Sequence, residues 1–390
     1  MNKTLDSSSV EGYCIYGGKM RVLLTAAVFF SLFICTPAHA ESDITIFKNP
    51  KPTCEEKVYV ELIKVGEVVY TEDSKEFLVA PWSLAADDSG NIYVYDSMMK
   101  KIYKYGRDLK LLTTFGGPGG GPGEFGLLKG MGGYIYIRLA KDNRLYAGDR
   151  MNRKVMCFDT SGKLLKETKI NVQPLSHIIP VVDSKGNFYF HSQREGVIDV
   201  FNPEGQKTST LIDRKELAFG LFFSPRRKIV KKYCYFKSTP TTILHEIIGG
   251  DRLLVYFQAS NFFYIVQNNK IKKKLKLWPR EALKFYKELL RDAVEGDPEI
   301  EGFYPFFHEL IVDKDNEKYV YFHFGRPLGS LESYIYQFDI EGNLIKVLFI
   351  KEFSKNHYTW VKYKRNGLFY AVGRDEDHNK TIVVYKEKSK

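Results

Sequence analysis

Residues 80–126 read APWSLAADDSGNIYVYDSMMKKIYKYGRDLKLLTTFGGPGGGPGEFG. Four short apolar or aromatic runs, Trp82–Ala86, Asn91–Tyr95, Lys101–Tyr105 and Leu109–Phe115, are split by polar turns and followed by a glycine-rich exit. In the turn Asp87-Asp88-Ser89-Gly90 the glycine supplies a positive φ, and the Asp and Ser side chains can bond nearby amides. Short β-branched and aromatic runs at such even spacing predict an all-β sandwich or propeller.

Degenerate copies recur at roughly forty to sixty residues, a fixed self-similarity that selects the propeller. Blade two runs from Tyr134 to Ala140, turns at Asp142-Asn143 and continues to Ile170; blade three carries Val182-Asp183-Ser184-Lys185-Gly186-Asn187-Phe188-Tyr189. Blade four centres on Gly250–Val255, blade five on Val312–Asn316 and Tyr319–Phe322, and blade six on Arg365–Tyr370. A second marker, at the turn between third and fourth strands, reads Phe158-Asp159-Thr160-Ser161-Gly162, Phe201-Asn202-Pro203-Glu204-Gly205 and Phe338-Asp339-Ile340-Glu341-Gly342. Two markers in one order predict an all-β, six-bladed β-propeller of four-stranded antiparallel blades.

Blade six has only three strand-like runs, Thr359–Tyr363, Leu368–Val372 and Thr381–Tyr385. Its fourth strand is expected from Tyr59–Tyr70, pairing with Thr381–Tyr385, because closure by both termini removes two open edges. Between blades four and five, Leu283, Tyr286, Leu290 and Val294 recur at helical spacing after Pro279, so Trp278–Val294 is expected to be a short helical insertion.

The layout resembles the NHL-repeat family of six-bladed propellers, of the secreted bacterial type. Pro81, the segment Asp87–Val94, Asp96-Ser97 and the exit from Phe115 through Gly121-Pro122-Gly123-Glu124-Phe125 carry the resemblance. It implies the fold more firmly than a function, since propellers of this kind include binding modules as well as lyases and hydrolases.

Met20-Arg21, the apolar run Val22–Cys35 and Ala38-His39-Ala40 have the three parts of a secretory signal. The run is short for a membrane span of about twenty residues. Residues 20–40 are therefore expected to be removed near Ala40, leaving a periplasmic or secreted chain without a membrane span. Residues 1–19 fit a mis-assigned start or a disordered extension. Residues 41–390 form a single propeller domain, with 57–79 the closing-strand region and 80–390 the blades. Three cysteines then remain, Cys54, Cys157 and Cys234; an odd number excludes a fully paired framework, and Cys157, between Met156 and Phe158, reads as a buried thiol.

Net charge is +11 over 390 residues. Arg226, Arg227, Lys228, Lys231 and Lys232 concentrate it between blades three and four, and Lys272, Lys273 and Lys274 between Lys270 and Lys276. Export argues against nucleic acid as the partner; the first cluster is a candidate anionic-surface site, with a solvated face or edge-strand protection as the plainer role.

No His-Glu-x-x-His, Gly-x-Ser-x-Gly, Cys-x-x-Cys or phosphate-loop motif is present. Gly121–Gly126 matches the dinucleotide glycine pattern in form only, since Pro122 interrupts it and a strand-rich repeat follows. Asp375–Asn379 has calcium-loop residues without the glycine and distal glutamate, which favours a polar hairpin turn. His177, His245 and His308 fall at or just before the inner strands of blades three, four and five. Converging at the channel mouth they could hold a divalent metal, zinc or calcium; alternatively they are polar plugs, because His177 and His308 differ by one residue in register and such a shift turns a side chain to the other face. Glu246 and Glu309 could act behind them as supporting groups or as a general base. The expected function is a monomeric scaffold binding a protein, glycan or small-molecule ligand; the alternative is a metal-dependent lyase or hydrolase, and a third reading is adhesion through the basic insertion.

Overall fold

The computed structural model describes residues 46–48, 59–71, 78–126, 135–171, 179–191, 196–213, 220–224, 229–233, 243–257, 262–268, 270–276, 307–324, 333–351 and 358–389. All belong to one compact unit, Asp43–Lys390. Two strands precede the repeats, β1 (Ile46–Lys48) and β2 (Tyr59–Tyr70). Blade 1 comprises β3 (Pro81–Ala86), β4 (Ile92–Asp96), β5 (Lys101–Tyr105) and β6 (Leu111–Gly116). Blade 2 comprises β7 (Tyr136–Leu139), β8 (Leu145–Asp149), β9 (Lys154–Phe158) and β10 (Leu164–Lys169). Blade 3 is β11 (Val181–Val182), β12 (Phe188–His191), β13 (Gly196–Phe201) and β14 (Lys207–Asp213), followed by a hairpin of β15 (Gly220–Ser224) and β16 (Ile229–Tyr233). Blade 4 is β17 (Ile243–Ile248), β18 (Arg252–Phe257), β19 (Phe262–Gln267) and β20 (Lys270–Lys276). Blade 5 is β21 (Phe307–Val312), β22 (Tyr319–Phe324), β23 (Ser333–Asp339) and β24 (Leu344–Ile350). Blade 6 contributes β25 (Tyr358–Arg365), β26 (Leu368–Arg374) and β27 (Lys380–Glu387).

The repeated turn has a chemical cause. Asp87 Oδ1 accepts the Asn91 amide at 2.9 Å, while Oδ2 accepts Asn91 Nδ2 at 2.8 Å and the Tyr93 hydroxyl at 3.0 Å. Asp183 holds Asn187 and Tyr189 in the same way, and Asp313 accepts the Tyr321 hydroxyl at 3.1 Å. One carboxylate thus ties the first turn to the second strand, which is why Asp, Asn and Tyr travel together in the repeat. Burial, and then the neighbouring aspartate, push the Tyr93, Tyr189 and Tyr321 hydroxyls far above the ordinary tyrosine range, so they remain neutral donors. Asp375 clasps Asn379 through its amide at 2.7 Å and its Nδ2 at 3.0 Å, making Asp375–Asn379 a hairpin turn between β26 and β27.

Aromatic side chains fill the seams between blades. Phe115 meets Phe158 across blades 1 and 2 at 5.2 Å between ring centroids, Tyr256 meets Phe322 across blades 4 and 5 at 5.0 Å, and Tyr321 meets Phe369 across blades 5 and 6 at 5.3 Å. Tilted and edge-to-face pairs of this kind add about 0.5–1.5 kcal/mol each beyond their buried area. In the glycine-rich exit Phe125 is fully buried, 5.1 Å from the Tyr95 ring and against Gly116, whose φ of 85° and lack of a Cβ make room for it. The Gly123 amide donates to Glu167 at 2.8 Å, so the exit is stitched to blade 2.

Closure uses the N-terminal strand. From Leu62 to Tyr70, β2 runs antiparallel to β27, with Tyr70 opposite Lys380. Its first residues, Tyr59–Glu61, also pair in parallel with Val347–Phe349 of β24, fusing blades 5 and 6 into one eight-stranded sheet. Parallel pairing of β1 with Lys274–Lys276 gives blade 4 a fifth strand, so the lysine-rich β20 has a partner beyond its own blade. The described residues contain no helix, and none is long and apolar enough to cross a membrane. Trp278–Val294, read as a helical insertion, lies outside the described residues, as do residues 20–40, read as a secretory signal, and Cys54 and Cys234.

Candidate functional site

Each blade's first strand lines the axis and ends at a turn on one face of the ring. That face carries a cavity of about 1360 Å³, lined by Arg138 and Leu139 of blade 2, Val182–Gly186 of blade 3, Glu246 and Arg252 of blade 4, Lys314–Lys318 after β21, and Arg365 of blade 6. It also runs outward between blades 2 and 3, past Tyr146, Cys157 and Phe188. The cavity exceeds the ~300–1,000 Å³ usual for small-molecule sites.

A triad centred on buried Glu246 forms its floor. Glu246 Oε2 lies 3.1 Å from Arg138 Nε, and Oε1 lies 3.3 Å from Lys314 Nζ, so one carboxylate joins blades 2, 4 and 5. Burial alone would raise the Glu246 pKa, but Lys314 and Arg138 outweigh it and hold the carboxyl below the usual range. Above the triad Lys141 of blade 2 reaches Glu317 of blade 5 at 3.0 Å, a pair between opposite blades of the ring. Neighbouring turns are latched as well. Asn143 Nδ2 donates to Asp88 at 3.1 Å, the Ser184 amide to Asp251 at 3.0 Å, and the Gly367 amide to Asp315 at 2.8 Å; Arg365 pairs with Asp88. The arrangement holds fixed charges around a concave mouth, a geometry suited to recognition.

A family model described as a 6-bladed beta-propeller matches residues 38–238, just over half of the chain. The chain belongs to this family. Solved structures agree on the propeller fold. A Bacteroides fragilis protein named as exported is 12% identical, covering 85% of this chain and 99% of its own, with a TM-score of 0.50. A member of the duf4221 family from Bacteroides vulgatus is 8% identical, with the same coverages and a TM-score of 0.51. At such identities the likeness is one of fold alone. No curated protein matches the sequence.

In this propeller the three histidines receive different answers. His245 is buried, with Nε2 2.8 Å from the backbone oxygen of Tyr189 in blade 3. The next residue, Glu246, is the one that lines the cavity, as strand alternation requires. The backbone of His308 sits at an irregularity in the pairing of β21 with β22, between Phe307 and Glu309. His177 and the His308 side chain lie outside the described residues, among which no cluster of three metal-ligating groups occurs. Glu309 pairs with Lys362 of blade 6. Of the basic insertion, Lys231 and Lys232 lie on β16, while Arg226, Arg227 and Lys228 are outside the described residues. Cys157 is a buried free thiol whose pKa is raised by that burial. Sequence reasoning missed Arg138 and Lys314. The available signal was a cation inside the apolar run Tyr136-Ile137-Arg138-Leu139, and another beside the turn aspartate Asp313.

Proposed function

We propose that this propeller is an exported scaffold that binds its ligand in the cavity at the turn face. The observation that carries the reading is the triad-floored cavity, whose walls come from the turns of several blades and whose buried carboxylate is already neutralised by two cations. A set floor and latched rim favour recognition over proton transfer, because a general base needs a pKa near the working pH and Glu246 is shifted the other way. Residues 20–40 support export, and the mature chain would begin near Glu41.

The test is a thermal-shift screen of the full chain against peptides, oligosaccharides and small molecules, repeated on Ala140→Trp, which places an indole in the cavity wall. Ligands that stabilise the parent should lose their effect in the variant. Hits that are indifferent to Ala140→Trp would move the site elsewhere on the propeller. Amino-terminal sequencing of the exported product checks the second half of the reading, and a mature chain that retains residues 20–40 would overturn it.

A further inference from the structure

The cavity's charges are not balanced. Nine basic and six acidic side chains line it, and the acids all have protein donors. Besides Glu246 and Glu317, Asp142 pairs with Arg144, Asp183 holds Asn187 and Tyr189, Asp251 accepts from Ser184, and Asp315 pairs with Lys364. Three of the cations, Lys166, Arg252 and Lys318, pair with no carboxylate among the described residues, and Lys185 acts on Asp251 through space without forming an ion pair with it. Lys166 and Arg252 donate to main-chain oxygens instead, those of Pro203 at 2.9 Å and Gly249 at 2.8 Å. A carbonyl satisfies the hydrogen bond but leaves the positive charge uncompensated, so the wall retains a field that attracts anions.

We propose that the cavity binds an acidic glycan, an oligosaccharide bearing carboxylates or sulfates. This inference rests on the scaffold reading and adds the ligand's chemistry. The unbalanced cations do not form one dense patch. They are interspersed with small apolar surfaces at Pro180, Val182, Pro203 and Leu165. A pyranose chain offers the matching alternation, with C–H faces for the apolar surfaces and ring-borne anions for the cations. The size of the cavity suits several linked sugars rather than one small molecule. Lys185 and Lys318 are exposed at the rim, where they are placed to draw the chain in.

The experiment is a calorimetric titration of the full chain with oligogalacturonate and with a heparin oligosaccharide of matched length, beside a neutral cello-oligosaccharide and poly-glutamate. At least one acidic glycan should bind, the neutral one should not, and affinity should fall as salt shortens the Debye length from about 10 Å at 0.1 M to about 3 Å at 1 M. Binding of oligogalacturonate would show that carboxylates suffice, and binding of heparin alone that sulfates are required. Lys185→Glu combined with Lys318→Glu should weaken binding by roughly tenfold or more, with an unchanged melting curve. Lys110→Glu, on the exposed β5–β6 turn, should leave binding as it was. Failure of both acidic glycans to bind, equal binding of the neutral sugar, tighter binding of poly-glutamate, or indifference to the double reversal would overturn the inference. If a ligand insensitive to the double reversal is still lost in Ala140→Trp, the cavity remains the site and only the charge argument falls. If Ala140→Trp is also without effect, both readings fall.

Discussion

In blade 1 the four strands follow one another within 81–116, and the acid at the end of β4 fastens them. Fully buried Asp96 accepts the amides of Met98 and Met99 on one oxygen, at 2.8 and 3.0 Å, and those of Val79 and Ala80 on the other, at 2.6 and 3.0 Å. In blade 6 only three strands are consecutive, and the fourth, β2, arrives from the other end of the chain to lie between β27 and β24. The seam to blade 5 adds an ion pair to the latch of the Gly367 amide on Asp315: buried Lys364 reaches Asp313 at 2.9 Å and Asp315 at 3.1 Å. Equivalent blades therefore differ in what closes them. Local contacts of short sequence separation close the first, and one long-range pairing, which must overcome loop-closure entropy, closes the last.

The largest effect should come from removing that pairing. Deleting residues 1–71 uncovers the edges of β24 and β27, together with that of β20, and should cost more than about 5 kcal/mol, beyond the range of ordinary point substitutions. Denaturant melts would show it as a collapsed or split transition, whereas an unchanged curve would mean that blade 6 closes without β2. Next comes the local clasp. Asp96→Ala leaves four amides without their acceptor and should cost about 3–4 kcal/mol, with Asp96→Asn recovering roughly half because one oxygen remains. If Asp96→Ala equals the truncation in cost, the contrast between the two blades fails.

The seam of blade 6 follows. Lys364→Met should cost about 2–3 kcal/mol, since buried Asp313 loses its cation but keeps the Tyr321 hydroxyl and the amides of Asp315 and Asn316. Adding Asp313→Asn should cost less than the sum of the two single changes, the signature of a coupled pair.

The smallest effect belongs to the axis and is visible in its pH dependence. The folded pKa of Glu246 lies below its ordinary value of 4.5. Its contribution is therefore present in full above about 4.5 and is lost as pH falls through the lowered folded value. Glu246→Gln should destabilise by about 1–2 kcal/mol at pH 7. The difference from the parent should shrink in urea melts at successively lower pH as both proteins come to carry a neutral side chain at this position. A difference that is constant with pH would mean that the triad is not ionised as described.

Legibility followed sequence distance. The Asp-x-x-Gly-Asn turns were readable because one side chain, its own backbone and a tyrosine two residues beyond the asparagine make the whole unit, as Asp87, Asn91 and Tyr93 do. The shortage of one strand in blade 6 could be counted, and Tyr59–Tyr70 alone offered a suitable apolar run. The floor of the cavity was not readable. Arg138, Glu246 and Lys314 come from three blades, and no local pattern relates them. His245 and Glu246 showed the same limit at one residue's distance, since alternation puts them on opposite sides of β17 but does not say which side meets the axis.

What the sequence by itself determined is the repeat: six blades and their turn chemistry, set by interactions within one blade. Tertiary structure alone decided which charges meet at the axis, that β2 bridges blades 5 and 6, and that the lysine-rich edge of blade 4 has a partner in β1. The reason is physical. Hydrogen bonding within a strand and its adjoining turn acts over a few residues and leaves a periodic trace, whereas a side chain's partner across the ring is set by the angle at which whole blades pack, a quantity no short stretch of sequence carries.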